Sequence, residues 1–280
     1  MTMNHSFTFR ALLAASSLFA ASFTSRAAVL VEEGFVAAEY PAGSKLIAGE
    51  GGGGTVGFGG SWDDGSQFGK EDIVAGSLGF GSLPTAGNKV QTNPSGSFSL
   101  VSRPLASTIV GSAGRTLWVG FLLKKTVSRG VGDDNFEFRL IATNDTGLAI
   151  GDLGGNDFYS LDDIDDAFPG HDQSAIASTV DATVWLVVKM SFVAGNDTFR
   201  LFVNPSPGGS EPNTANAVKT DFNLSNIASI GYLAGSDQTW QLDGIRIGDN
   251  YSDLVPEPTT AGMLGLGAGL LAMRRRRAQV

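Results

Sequence analysis

The groups in this chain best suited to chemistry are carboxylates. Asp157, Asp162, Asp163, Asp165, Asp166 and Asp172 put six of them within sixteen residues. A hard divalent cation such as Ca²⁺ takes about six to eight oxygens of this kind at ~2.3–2.6 Å. So many like charges repel unless water or a cation screens them. Asp157, Asp162, Asp163, Asp165 and Asp166 are therefore the candidate calcium ligands, and calcium is the candidate cofactor. The run Asp162-Asp163-Ile164-Asp165-Asp166 lacks the D-x-D-x-D-G spacing of an EF-hand loop, so no defined geometry follows and the bland reading is a mobile, hydrated loop.

Cleavage of a glycosidic bond needs two carboxylates some ~5–9 Å apart. The glutamates between the two ends of the chain are Glu32, Glu33, Glu39, Glu50, Glu71, Glu137 and Glu211, and none has an acidic partner two residues on. Glu137, between Phe136 and Phe138, either faces a groove or pairs with Arg139 or Lys124. His171, beside Asp172 and after Pro169-Gly170, is a candidate base or a turn residue. No catalytic residue is assigned. The chain has no cysteine and two histidines, which removes thiolate chemistry, disulfides and multi-histidine metal sites. The glycines of Gly51–Gly54 and Gly57–Gly60 lack the G-x-x-x-x-G-K-[ST] pattern of a phosphate cradle. Of the four tryptophans, Trp118 and Trp185 fall opposite the more apolar faces of their segments. They either stack on a sugar or cover the second face of a sheet.

The elements that must position these groups alternate with a period of two. Arg115–Lys125 sets Leu117, Val119, Phe121 and Leu123 on one face. Asn135–Thr143 does the same with Phe136, Phe138 and Leu140. Ala182–Asn204 reads as a hairpin turning at Ala194-Gly195-Asn196-Asp197, and Ile227–Leu233 and Trp240–Ile247 are two further strands. Between them run stretches rich in Gly, Asp, Asn and Ser, among them Gly151–His171. Glycine, at 38 of 280 residues, is about twice its usual share. These features predict an all-β, antiparallel sandwich in one domain, residues 28–254.

Both ends carry addresses. Residues 1–27 combine Arg10, an apolar run Ala11–Phe23 and small residues at Ser25 and Ala27, the form of a secretory signal cleaved after Ala27. Residues 255–280 hold Val255-Pro256-Glu257-Pro258, the apolar run Ala261–Met273 and the cluster Arg274, Arg275, Arg276 and Arg277. Thirteen helical residues span only ~20 Å, short of a ~30 Å hydrocarbon core, and the arginines favour a cytoplasmic position for the tail. Six of the 19 basic and one of the 28 acidic residues lie in these ends, so residues 28–255 carry 27 negative and 13 positive charges. Such a body repels nucleic acid.

The order Pro256-Glu257-Pro258, apolar helix, Arg274–Arg277 resembles the PEP-CTERM sorting domain of Gram-negative bacteria. The resemblance implies export, a membrane intermediate, recognition by an exosortase and delivery to the cell surface or extracellular matrix. The body is similar to the concanavalin-like, laminin-G-like jelly rolls. Leu30-Val31-Glu32-Glu33-Gly34-Phe35, Thr116–Phe121, Trp185–Lys189, Asp197–Pro205 and Leu242–Gly248 carry that likeness. It implies two curved sheets and a structural or adhesive role with extracellular polysaccharide as partner. The alternative on the same fold is a secreted glycan-acting hydrolase or lyase.

Overall fold

The computed structural model describes residues 29–46, 56–63, 71–83, 86–92, 98–130, 134–155, 157–164 and 171–255. The signal segment 1–27, Pro256, Glu257 and Pro258, the apolar run, Arg274–Arg277, Asp165 and Asp166 lie outside these residues. Among the described residues no helix is long and apolar enough to cross a membrane.

Two antiparallel sheets form the expected jelly-roll sandwich. The eight-stranded sheet runs β12 (Ala217–Lys219), β11 (Thr198–Val203), β10 (Thr183–Ser191), β5 (Thr116–Val127), β14 (Thr239–Gly248), β3 (Asn88–Gln91), β2 (Asp72–Ala75), with β1 (Val29–Glu33) also paired to β14. The six-stranded sheet runs β4 (Ser99–Val110), β13 (Asn226–Ala234), β6 (Phe136–Ile141), β7 (Gly147–Asp152), β8 (Phe158–Asp163), β9 (Asp172–Ala177). Inward residues of both sheets interdigitate as one core. Leu117, Val119, Phe121 and Leu123 meet Phe136, Phe138, Leu140 and Ile150 across it, and the Phe121 and Phe138 rings stack at 4.4 Å. On β14, Leu242 and Ile245 both enter the core despite their odd spacing. A bulge between Asp243 and Arg246, turned at Gly244 with φ +60°, inserts the extra residue.

The eight-stranded sheet is buried on its outer face as well. Trp118, Leu122, Trp185, Val187 and Phe202 form a second cluster beneath Leu78, Tyr251 and Leu254. Tyr251 and Leu254 belong to the 3₁₀ turn Tyr251–Leu254, and half-buried Val255, the root of the tail, packs on the same cluster. Asp243 lies among these groups, 1% exposed. Its carboxylate accepts the Leu78 and Gly244 amides at 2.8 and 2.7 Å. Burial pushes its pKa up to about 7 against those hydrogen bonds. The folded state therefore holds the Asp243 proton more tightly than the unfolded chain, and stability falls as pH rises from ~4 towards ~7. Asp243→Asn should flatten urea-unfolding free energies between pH 5 and 8, removing a decline on the order of 2 kcal/mol.

Three charged clusters bind one sheet to the other. Glu33 on β1 pairs with Arg103 on β4, their side chains 0% and 1% exposed. Lys125 on β5 meets Asp152 at the end of β7. Lys219 on β12 meets Asp162 on β8 at 3.3 Å.

The region Gly151–His171, expected as a loop, contains β8. Tyr159 and Leu161 alternate into the core, so Asp162 and Asp163 sit on a strand.

Candidate functional site

Because Phe136, Phe138 and Leu140 face the core, alternation turns Glu137, Arg139 and Ile141 to the outer face of the six-stranded sheet. Asn135 precedes them on the same side. Its Nδ2 donates to Glu137 Oε1 at 3.2 Å, and Arg139 Nε donates to Glu137 Oε2 at 2.8 Å. An amide, a carboxylate and a guanidinium thus form a polar ridge along β6.

Strand register gives the surroundings of the ridge. One row across the sheet reads Leu100, Leu233, Glu137, Gly151, Ser160; the next reads Ser102, Gly231, Arg139, Ala149, Asp162. Small residues therefore flank the ridge on β7 and, at Gly231, on β13. Strand packing enforces the glycines: a Cβ at Gly231 would lie 2.5 Å from the Val101 carbonyl oxygen, and one at Gly151 2.0 Å from that of Phe136. Gly231 places no side chain between β4 and β6, whereas on the β7–β8 side Ala149, Gly151, Ser160 and Asp162 are buried, and the Glu137 and Arg139 side chains are 12% and 18% exposed.

An apolar ridge stands across β13 from the polar one. Extending the Ser99–Ala234 register by one residue sets Phe98 beside Gly235, whose amide donates to the Asn135 carbonyl at 2.9 Å. Phe98 is 56% exposed, the one exposed aromatic among the described residues, and Leu100 is 39% exposed. Two strand spacings, ~9.6 Å, separate β4 from β6. The width suits one pyranose ring with its hydroxyls.

No family model matches this chain, and no curated protein matches it in sequence. Its fold is similar to that of solved structures. An endo-1,3-beta-glucanase from Streptomyces sioyaensis matches with a TM-score of 0.48 and 9% identity, over 80% of this chain and 96% of that one. The Emp46p carbohydrate recognition domain, in a metal-free form, matches with a TM-score of 0.43 and 12% identity, over 67% and 92%. The carbohydrate binding module CBM66 from Bacillus subtilis matches with a TM-score of 0.38 and 12% identity, over 64% and 94%. At such identities the likeness concerns the fold alone.

The residues singled out in the sequence are dispersed by the fold. Trp118 and Trp185 are each 2% exposed and sit on the opposite sheet. Trp118 borders a shallow recess of about 390 Å³ with Lys189, Glu211, Asp249, Asn250 and Tyr251. The Lys189 ammonium, paired with Glu211, lies 5.2 Å from the Trp118 ring centre. Neither indole presents an open face; of the two readings for this pair, covering the sheet is the one the geometry supports. The candidate calcium ligands also part company. Asp157 joins Asp134 and Asp152 around Lys125, whereas Asp162 contacts His171 Nδ1 at 2.6 Å and Lys219 at 3.3 Å. Asp163 donates its amide to Asp162 Oδ1 at 2.8 Å. His171, with its side chain 7% exposed, is a packed residue and not a solvated turn.

Sequence reasoning missed Phe98. The alternation Asn135-Phe136-Glu137-Phe138-Arg139 contains the polar ridge, but Phe98 directly precedes β4, a strand that the hydrophobic periodicity does not pick out.

Proposed function

We propose that this chain is an exported protein whose sandwich binds neutral polysaccharide on the outer face of the six-stranded sheet. The observation that carries the reading is the exposed Phe98 standing across a low strand from the Asn135–Glu137–Arg139 ridge. A pyranose has an apolar C–H face and a rim of hydroxyls, and this trough offers an apolar side and a polar side at matching spacing. Neutral polymers are favoured because residues 28–255 carry 27 negative against 13 positive charges, and Glu137 already neutralises Arg139. A hydrolase on this face needs a carboxylate poised at the scissile bond, and both Glu137 oxygens are engaged by Asn135 and Arg139. The role is structural or adhesive, with residues 255–280 directing the body to the cell surface or matrix through an exosortase.

Affinity electrophoresis in gels containing β-1,3-glucan, β-1,4-glucan, mannan or dextran tests the binding reading, with alginate and heparin as anionic controls. The protein should be retarded by at least one neutral polymer and by neither anionic one. Phe98→Ala and Arg139→Ala should each weaken that retardation at least tenfold, about 1.4 kcal/mol; the Phe98→Ala melting curve should be unchanged, whereas Arg139→Ala should melt lower because it leaves Glu137, only 12% exposed, without its ion-pair partner. Retardation only by the anionic polymers, or equal retardation of all variants, rejects the proposal.

A further inference from the structure

At one end of the sandwich, away from the trough's centre, the Lys125 ammonium sits in a cage of oxygens. Its Nζ lies 2.7 Å from Asp134 Oδ2, 3.4 Å from Asp152 Oδ2, 3.6 Å from Asp157 Oδ1 and 2.8 Å from Ser178 Oγ. These ligands come from the β5–β6 connection, the end of β7, the β7–β8 turn and the β9–β10 connection. The Lys125 side chain is 3% exposed, those of Asp134 and Asp152 are 0% and that of Asp157 is 22%.

Two features mark the cage as a cation site. First, one carboxylate oxygen from each of Asp134, Asp152 and Asp157 lies within 4.8 Å of the others. Oxygens at ~2.3–2.6 Å from a common Ca²⁺ can stand that far apart. Second, Asp152 Oδ1 and Tyr159 Oη are both buried without a hydrogen-bond partner. They belong to residues directly opposite one another on β7 and β8, so unpartnered oxygens remain on the strands that supply the cage, while the ammonium has used its own three protons on Asp134, Asp152 and Ser178. The donor set is oxygen throughout, the preference of a hard cation. With its ammonium present, however, the cage already holds a positive charge at its centre.

We propose that this cage is a calcium-type site whose resident cation is the protein's own Lys125. The cage then takes up no calcium as long as the ammonium is in place. Removing it leaves three carboxylates and a serine hydroxyl around a space that a divalent ion can occupy, with the unpartnered Tyr159 hydroxyl on the strand residue opposite Asp152. A lysine is a compact point charge on a flexible stem, suited to ending in such a cage where the planar arginine fork is not. The inference is independent of polysaccharide binding, which involves other residues.

Thermal melts of the full chain in millimolar CaCl₂ and in EDTA provide the test, with Tb³⁺ luminescence sensitised by Trp240, whose ring lies 5.3 Å from Lys125 Nζ. The unmodified protein should melt at the same temperature in both and give no sensitised Tb³⁺ signal. Lys125→Ala, and the bulkier Lys125→Gln, should melt lower in EDTA and recover by at least about 5 °C in CaCl₂, with Tb³⁺ emission displaced by Ca²⁺. Adding Asp157→Asn to Lys125→Ala should weaken that recovery. A calcium-dependent melt of the unmodified protein overturns the proposal. So does either a lack of calcium response in both variants or a failure of both to fold even with calcium.

Discussion

Arg103→Ala should lower the unfolding free energy by about 3–5 kcal/mol, because it leaves Glu33 charged and unpaired inside the sandwich. Glu33 has no solvent exposure. One of its oxygens accepts the Phe35 amide at 2.9 Å, and the other accepts the Tyr40 hydroxyl at 2.8 Å and the Arg103 guanidinium. Arg103 also donates to the Gly60 carbonyl at 2.7 Å and lies 4.1 Å above the Phe58 ring. Burial already pushes the Glu33 pKa up, against these partners and the Arg103 charge. Without the guanidinium the remaining groups cannot balance the carboxylate. Replacing both charges, as Glu33→Gln with Arg103→Met, should recover part of the loss, since apolar or neutral groups of similar volume often serve as well as a buried pair. Urea-unfolding midpoints of the two single variants and the double variant measure this. A double variant as unstable as the sum of the singles contradicts the argument.

Trp118→Ala and Trp185→Ala should each cost about 3–5 kcal/mol by opening a cavity in the second cluster. For a domain of this size that lowers the melting temperature on the order of 10 °C. Trp118 packs against Phe202 at 5.9 Å and Tyr251 at 5.2 Å, and Trp185 against Tyr251 at 5.9 Å. Each loss therefore loosens the 3₁₀ turn from the sheet. Well below the melting temperature, both variants should bind polysaccharide as the unmodified protein does. Phe98→Ala should behave in the opposite way, with stability kept and binding lost. Calorimetric melts read beside affinity gels separate the two roles. Loss of binding in the tryptophan variants at full stability would return the glycan face to the eight-stranded sheet.

The sheets were readable wherever burial made alternation strong. In β5 and β10, apolar residues on both faces revealed the strands, and the hairpin turning near Asn196 appears as expected, with Thr183–Ser191 paired to Thr198–Val203. β4 escaped notice for a physical reason. Its inward row is Val101, Arg103 and Leu105, and a charge at a core position reads as polar until its partner, seventy residues away in sequence, is known. β8 was hidden likewise, its inward Tyr159 and Leu161 set in an acidic stretch. Spacing along the chain groups Asp157 with Asp162, Asp163, Asp165 and Asp166, but Asp134, Asp152 and Asp157 converge from separate strand ends. Periodicity exposes faces; it does not reveal which distant charges meet.

Mapping backbone amide shifts of the purified protein during titration with a soluble oligosaccharide of the best-retained neutral polymer tests the binding face most directly. The expected shifts cluster at Phe98, Asn135, Glu137, Arg139 and Gly231. Shifts centred on Trp118, Asn250 and Tyr251, on the opposite sheet, would contradict the account.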